Sequence, residues 1–303
     1  MGGRLSGGPL AELREELAAR GIRPAKRLGQ NFMVDPNLAG AVARASGAGE
    51  GDVVLEVGPG AGHLTKALLA LGARVLAVEI DARLADLAAE RLGEAPGLRI
   101  LQYDAMAPGG LLAEEVVEAL RAETAAAGRA SFRVASNLPY GVAATFLIAL
   151  ASSGLPWAGG AVTLQREVAE RLAAPPGTKA YGASSVIWQL LARGRIDRTI
   201  PREVFWPRPE VFSALLVIEP LDEAPAELVA SAREFGAFVK ALFSSRRKVL
   251  RKAAAKALHG LPTERLDAAL GAAGIDPGAR VETVAPERLL ALWRRNRGDQ
   301  RPS

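Results

Sequence analysis

The chain has 303 residues, 49% of them hydrophobic and 23% charged, with a formal net charge of +5. This is an ordinary globular composition, long enough for one large domain and a smaller one. There is no cysteine and only two histidines, His63 and His259, which excludes disulfides and thiolate metal sites and argues against a zinc site; no metal is expected. No apolar run approaches the length of a bilayer-spanning helix, and Met1 to Arg23 lacks the apolar core of a signal peptide, so a cytoplasmic protein without membrane contact is expected.

Pro9 to Arg20 reads as an amphipathic helix with Leu10, Leu13 and Leu17 on one face. The basic segment from Arg23 to Gln30 follows, ending in Gly29-Gln30-Asn31-Phe32-Met33; alone it reads equally well as a solvated linker. Val53 to Val57 is a buried strand by its β-branched content. It runs into Gly58-Pro59-Gly60-Ala61-Gly62 and then a helix from Leu64 to Leu71. Strand, glycine loop and helix make a nucleotide-binding arrangement, because glycines admit the backbone to a ligand and the helix N-terminus faces it. The dinucleotide fingerprint would place glycine where His63 stands, so that pattern is excluded.

The second strand, Arg74 to Val78, ends in Glu79-Ile80-Asp81, where an acid can hydrogen-bond a ribose diol. The third, Leu98 to Gln102, ends in Tyr103-Asp104-Ala105-Met106. Pro108 to Arg129 reads as a helix with a small-residue tail. The fourth strand, Phe132 to Ala135, ends in Ser136-Asn137-Leu138-Pro139-Tyr140, and an apolar helix spans Val142 to Ala151. Pro139 stiffens this loop, Asn137 offers an acceptor and donors, and Tyr140 offers a flat face, which together suit an exocyclic amine on a planar ring. On these residues alone, a proline-containing loop with a capping Asn explains the stretch as well. Each acid at a strand end is by itself an ordinary turn residue, but Gly58, Glu79, Asp104 and Asn137 occupy four successive strand tips in order.

Ala161 to Gln165 is a fifth strand, followed by helices Arg166 to Ala174 and Ser184 to Ala192 around a Pro- and Gly-rich loop. Strands Arg195 to Ile200 and Phe212 to Ile218 flank Phe205-Trp206-Pro207-Arg208-Pro209. The alternation predicts an α/β, seven-stranded, doubly wound Rossmann-like domain over residues 1–220, with residues 1–30 as an N-terminal helix and basic segment. Beyond it, Glu227 to Phe243, Ser245 to Leu258, Thr263 to Ala273 and Pro286 to Arg295 predict a small all-helical domain over 221–303. This region carries 15 Lys and Arg against 10 Asp and Glu, whereas the first 220 residues hold 23 of each. No acid occurs from Phe235 to Thr263, a stretch holding Lys240, Arg246, Arg247, Lys248, Arg251, Lys252 and Lys256. Lys248, Lys252 and Lys256 recur at i, i+4 as one predicted stripe. A solvated face is the plain reading, but seven like charges without a counter-charge would repel one another, so a polyanion is the better partner.

These motifs, in this order and spacing, resemble the small-subunit ribosomal RNA adenine dimethyltransferases (the KsgA family), over nearly the whole chain from Arg23 to about Trp293. The resemblance is carried by Gly29-Gln30-Asn31-Phe32, Glu56-Val57-Gly58-Pro59-Gly60, Asn137-Leu138-Pro139-Tyr140 and Phe205-Trp206-Pro207-Arg208-Pro209. Leu164-Gln165-Arg166-Glu167-Val168, Ser245-Arg246-Arg247-Lys248 and Gly274-Ile275-Asp276-Pro277 extend it. It implies an S-adenosylmethionine-dependent methyltransferase that dimethylates N6 of two adjacent adenines. Those adenines lie in a hairpin near the 3′ end of small-subunit (16S) rRNA, so the resemblance also implies a role in ribosome biogenesis with the pre-30S subunit as partner, and a monomer. By position it places cofactor contacts on Gln30, Asn31, Met33, Gly58, Gly60, Glu79, Ile80, Asp104, Ala105 and Asn137. The catalytic set is Asn137, Leu138, Pro139, Tyr140 and Phe205, with Tyr140 and Phe205 stacking on the flipped base. The RNA-binding set is Arg246, Arg247, Lys248, Arg251 and Lys252. The chain departs from the family pattern at Phe212, where Asp or another polar residue is usual, and at Trp206.

Three other functions compete. They are the same chemistry on large-subunit (23S) rRNA, as in macrolide-resistance methyltransferases; N6-adenine methylation of DNA, whose loop normally begins with Asp; and a non-catalytic RNA-binding assembly factor. The Arg-Arg-Lys segment and Gly-Ile-Asp-Pro favour the small subunit, and the full set of cofactor positions favours catalysis.

Overall fold

The structure, a computed structural model, describes residues 8–25, 29–246, 248–258 and 262–298. The chain divides into two compact units, Met1–Ala169 with Gly194–Glu219, and Glu170–Arg193 with Pro220–Ser303. In chain order the elements begin with α1 (Pro9–Ala19), β1 (Phe32–Met33) and α2 (Pro36–Ala45). Strand and helix then alternate through β2 (Val53–Val57), α3 (His63–Leu69), β3 (Arg74–Glu79), α4 (Ala82–Leu92) and β4 (Leu98–Gln102). A hairpin of β5 (Met106–Ala107) and β6 (Leu111–Leu112) leads to α5 (Glu114–Ala126), β7 (Phe132–Asn137), α6 (Ala143–Ala151) and β8 (Trp157–Gln165). Next come α7 (Arg166–Ala173), α8 (Ala183–Gln189), β9 (Ala192–Ile200), β10 (Phe205–Trp206) and β11 (Ser213–Pro220). The remaining helices are α9 (Ala226–Phe243), α10 (Leu250–Ala257), α11 (Thr263–Ala272) and α12 (Pro286–Gly298).

The expected seven-stranded sheet has the order β4-β3-β2-β7-β8-β11-β9. β4, β3, β2, β7 and β8 run parallel, and β11 is antiparallel to β8. The chain starts in the middle at β2, winds out through β3 and β4, then returns to lay β7 on the other side of β2. The carboxyl ends of β2 and β7 therefore flank the point where the winding reverses, which is where open α/β sheets leave a crevice for ligands. All five residues of β2 are buried, as a strand covered on both faces requires.

Three differences from the sequence-based expectation have local causes. The helix expected from Pro108 begins at Glu114, because Met106 to Leu112 fold into the β5–β6 hairpin around Gly109-Gly110. β8 begins at Trp157 rather than Ala161. Gly160 lies inside the strand, and a Cβ there would sit 2.0 Å from the Val134 carbonyl oxygen of β7, so the close pairing needs glycine. The helix expected from Ser245 begins only at Leu250. Lys248 N–H closes a turn onto Ser245 C=O at 2.8 Å, and Leu250 N–H then bonds Ala279 C=O at 2.7 Å, drawing the chain off a helical path.

In the first unit, Leu13 and Leu17 of α1 bury their side chains in a cluster with Phe32, Ala61 and Leu84. The sequence did not reveal that β1 pairs with β10, setting Phe32 opposite Trp206 and Met33 opposite Phe205. In the second unit, Phe235 of α9 meets Trp293 of α12 edge-on at 5.4 Å. The Tyr181 hydroxyl donates to Val284 C=O at 2.9 Å. Among the described residues no helix is long and apolar enough to cross a membrane.

Candidate active site

A cavity of about 200 Å³ opens at the carboxyl ends of β4, β3, β2 and β7, wholly within the first unit. One wall is the loop after β2. Gly58 and Gly60 hold φ of 71° and 55°, in the left-handed region that favours glycine. A Cβ on Gly60 would come within 2.9 Å of the Phe32 ring, so the loop lies against β1 only because that side chain is missing. Gly58 N–H donates to Val78 C=O at 2.9 Å, locking the loop to the tip of β3.

At that tip Glu79 is almost fully buried. One carboxylate oxygen accepts from Gly60 N–H at 3.3 Å and the other from Asp81 N–H at 3.0 Å. Burial raises its pKa, and these backbone donors oppose the rise. Each oxygen keeps a lone pair for a further donor, which is what a bidentate acceptor of a vicinal diol needs. Ile80 and Tyr103 also line the cavity and are 45% and 40% exposed, two apolar surfaces at its rim. Asp104 accepts from Met106 N–H at 2.9 Å, which turns the chain so that Asp104 and Ala105 both line the cavity. Below the glycine loop, Glu56 of β2 also lines the cavity with Oε2 lacking a hydrogen-bond partner. Burial, and then the nearby Glu79 charge, push its pKa up to about 8.

The opposite wall is the end of β7. Ser136 donates to Val57 C=O at 2.6 Å, stitching β7 to β2. Asn137 is still in the strand, and both ends of its amide are held: Nδ2 donates to Asn31 C=O at 2.7 Å, and Oδ1 accepts from the Thr163 hydroxyl at 2.6 Å. α6 begins at Ala143 with Val142 as its N-cap and no side-chain cap bond. The capping reading of Asn137 is therefore excluded. Leu138 is buried, with its N–H on Thr163 C=O at 3.0 Å. The Pro139 carbonyl is occupied by Val142 N–H at 3.1 Å. The Tyr140 hydroxyl pairs with Ser213 Oγ at 2.6 Å, which fixes its ring against the cavity, and burial raises its pKa.

All ten positions expected for the cofactor line this one cavity, including Gln30, whose Oε1 accepts from Ala25 N–H at 2.8 Å, together with Asn31 and Met33. Asn137, Leu138, Pro139 and Tyr140 line it too. Phe205 does not. It is 2% exposed, packed in the core beside Met33 through the β1–β10 pairing, so its ring is not available to stack on a base. Thr163 and Ser213, which hold Asn137 and Tyr140, were missed, since a hydroxyl within a strand carries no signal until the register is known.

In the second unit the basic run differs from its expected form. Lys248 precedes α10, so the three-lysine helical stripe is reduced to Lys252 and Lys256. The counter-charges come from elsewhere in the fold: Arg251 makes a two-pronged bond to Asp267 at 2.6 Å, and Arg246 pairs with Glu282 and donates to Thr178 C=O at 3.2 Å. Lys248 and Lys252 are exposed, while Arg247 and His259 lie outside the described residues.

The profile of the family described as "Ribosomal RNA adenine dimethylase" matches residues 22–295. The "Ribosomal RNA small subunit methyltransferase A" of Phenylobacterium zucineum (strain HLK1) is 41% identical, covering 93% of this chain and 92% of its own. Among solved structures, the 23S rRNA methyltransferase ErmE superposes with a TM-score of 0.60 at 25% identity, covering 88% of this chain and all of that one. A dimethyladenosine transferase from Plasmodium falciparum superposes with a TM-score of 0.69 at 20% identity, covering 87% and 96%, and supports the fold. Matched along almost its whole length by the profile and by a relative of equal extent, the chain belongs to the ribosomal RNA adenine dimethylase family.

Proposed function

We propose that this protein transfers methyl groups from S-adenosylmethionine to N6 of two adjacent adenines in a hairpin near the 3′ end of small-subunit rRNA. The products are N6,N6-dimethyladenosines, made during assembly of the small ribosomal subunit. The observation that carries this reading is the Asn137 amide, clamped between Asn31 and Thr163 beside the glycine loop.

The residues present fit the cofactor. The loop at Gly58 and Gly60 lets backbone approach the ligand, Glu79 keeps free lone pairs for a ribose diol, and Ile80 and Tyr103 offer faces for an adenine ring. Asp104 would take the adenine amine, and Gln30, Asn31 and Met33 would enclose the methionine portion. When bound, S-adenosylmethionine supplies an electrophilic methyl group.

The chain's own part is orientation. An adenine N6 is a poor nucleophile because its lone pair is delocalised into the ring. The clamp fixes Asn137 Oδ1 as an acceptor with one lone pair left for an N6 hydrogen. With the Pro139 carbonyl committed to Val142, the second N6 acceptor is assigned to the Leu138 carbonyl. Two acceptors turn the lone pair out of conjugation and toward the methyl, a gain from positioning rather than from base strength. Tyr140 supplies the stacking face, held by Ser213. With Pro139 and Tyr140 as neutral walls, an N6 already carrying one methyl is not repelled.

The second unit, which takes in Glu170–Arg193 as well as the residues from Pro220 on, is assigned to RNA binding through Lys248, Lys252 and their basic neighbours, and the first unit, which holds the cavity, to catalysis. A cytoplasmic monomer fits this role. The test is methylation of unmethylated small subunits, with dimethyladenosine located by primer extension and quantified by mass spectrometry. Transfer to large-subunit RNA or DNA instead, or no transfer, would overturn the reading.

A further inference from the structure

Phe212 is 45% exposed. A single exposed Phe is unremarkable, but this ring has two guanidinium groups close to it. Arg202 Cζ lies 5.3 Å from the ring centroid and Arg166 Cζ lies 5.8 Å from it. Backbone bonds fix the arrangement. Arg166 N–H donates to Phe212 C=O at 2.9 Å, and Arg202 Nη1 donates to Glu210 C=O at 2.9 Å.

The strand register locates this cluster. Asn137 of β7 is opposite Thr163 of β8, and Gln165, two residues further along β8, is opposite Ser213 of β11. β11 runs antiparallel to β8, so its first residues lie at the same carboxyl edge as Asn137. Phe212 precedes Ser213, whose hydroxyl holds Tyr140 on the cavity wall. The ring thus stands outside the cavity, one residue from the anchor of the stacking tyrosine. Phe212 does not line the cavity, and the cofactor reading gives it no task.

We propose that Phe212, with Arg166 and Arg202, is a stacking platform for the nucleobase next to the methylated adenine. The inference rests on the reading of the chain as an rRNA adenine methyltransferase. A base flipped out of a hairpin loop leaves its neighbour unstacked, and an aromatic ring or a guanidinium plane can replace that stacking without regard to sequence. The guanidinium groups of Arg166 and Arg202, which lie over the ring, add positive charge suited to the phosphate between the neighbouring nucleotides.

The test uses the full-length protein and a hairpin RNA with two adjacent loop adenines. RNA affinity is measured by fluorescence anisotropy for the wild type, Phe212→Ala and Phe212→Trp, with each base flanking the adenine pair removed in turn to leave an abasic site. The expected loss for Phe212→Ala is about tenfold, the scale of one base–aromatic stack, with Phe212→Trp restored and S-adenosylmethionine affinity unchanged. One flanking abasic site should weaken the wild type by a similar factor and have no added effect in Phe212→Ala. Equal RNA affinity for wild type and Phe212→Ala, or abasic losses of the same size in both, would overturn the platform. Failure of the wild type to methylate small subunits would refute the proposed function instead, and the coupling, which needs only binding, would still decide the platform.

Discussion

Asn137→Ala separates orientation from stability. The substitution removes two hydrogen bonds, one to Asn31 C=O at 2.7 Å and one from the Thr163 hydroxyl at 2.6 Å. Their ends border a cavity that admits water, so the loss is expected near the net value of ordinary bonds, about 1–3 kcal/mol in total. For a chain of this size that is a fall in melting temperature of roughly 2–10 °C, with the fold retained. Loss of a fixed acceptor aimed at the reacting amine should cost far more in rate, about 10²- to 10³-fold. Asn137→Asp sharpens the comparison. It keeps an acceptor for Thr163 but turns its second oxygen onto the Asn31 carbonyl, where the amide nitrogen now sits. Repulsion there displaces the side chain, so Asp is expected to be impaired despite its similar shape. The assay is single-turnover methylation at saturating cofactor, beside a thermal melt. Near-wild-type turnover in a folded Asn137→Ala protein would refute the argument, because the orienting acceptor would then be dispensable.

Glu79→Ala should weaken S-adenosylmethionine binding by about 1–3 kcal/mol, since it removes the diol acceptor and releases the Gly60 and Asp81 amides it holds; unchanged affinity by calorimetry would remove Glu79 from the site. Glu56 is neutral in the folded protein up to its raised pKa of about 8 but ionises in the ordinary glutamate range once unfolded. Folding therefore binds a proton between those values, and stability should fall as pH rises from about 5 to about 8. Glu56→Gln should flatten that slope in thermal melts, and an identical slope in the variant would show that another group carries it. Replacing Lys248 and Lys252 together by Ala should lower the salt slope of RNA binding by roughly two units while sparing cofactor affinity. A double variant with wild-type slope would mean these lysines face only solvent.

Much of the catalytic unit was legible in the sequence because its signals are local. The β-branched run Val53 to Val57 before Gly58-Pro59-Gly60 fixes a strand and its loop, and alternation of period supplies the parallel sheet. Gly58, Glu79, Asp104 and Asn137 follow four successive strands, so their convergence on one cavity needs only that each strand ends at the same edge. What escaped depends on register between distant segments. By resemblance Phe205 is expected to stack on the flipped base, yet pairing of β10 with β1 buries it next to Met33. Thr163 and Ser213 look like strand filler until β8 places one against Asn137 and β11 brings the other to Tyr140. The carbonyl at Pro139 is indistinguishable from that of Leu138 in sequence, and only the turn into α6 shows that Val142 takes it.

The basic run shows the same limit from the side of charge. Counted in sequence, Lys240 to Lys256 presents seven cations with no acid among them. In the fold, α11 brings Asp267 to Arg251, and Glu282 reaches Arg246. A guanidinium held by two hydrogen bonds to a carboxylate must give up that pairing before it can bind a phosphate, so such a residue adds less to RNA affinity than its charge suggests. Lys240, Lys248, Lys252 and Lys256 are exposed, and a lysine ammonium on a flexible stem can follow a phosphate without disturbing the fold. Arg246 and Arg251 are thus engaged within the fold, and under the proposed function the exposed lysines are the ones expected to meet the RNA. Arg251→Ala should therefore lower the melting temperature more than Lys252→Ala and lower the salt slope less. The reverse ranking would show that the Arg251–Asp267 pair opens on binding and that the arginine is spent on RNA after all.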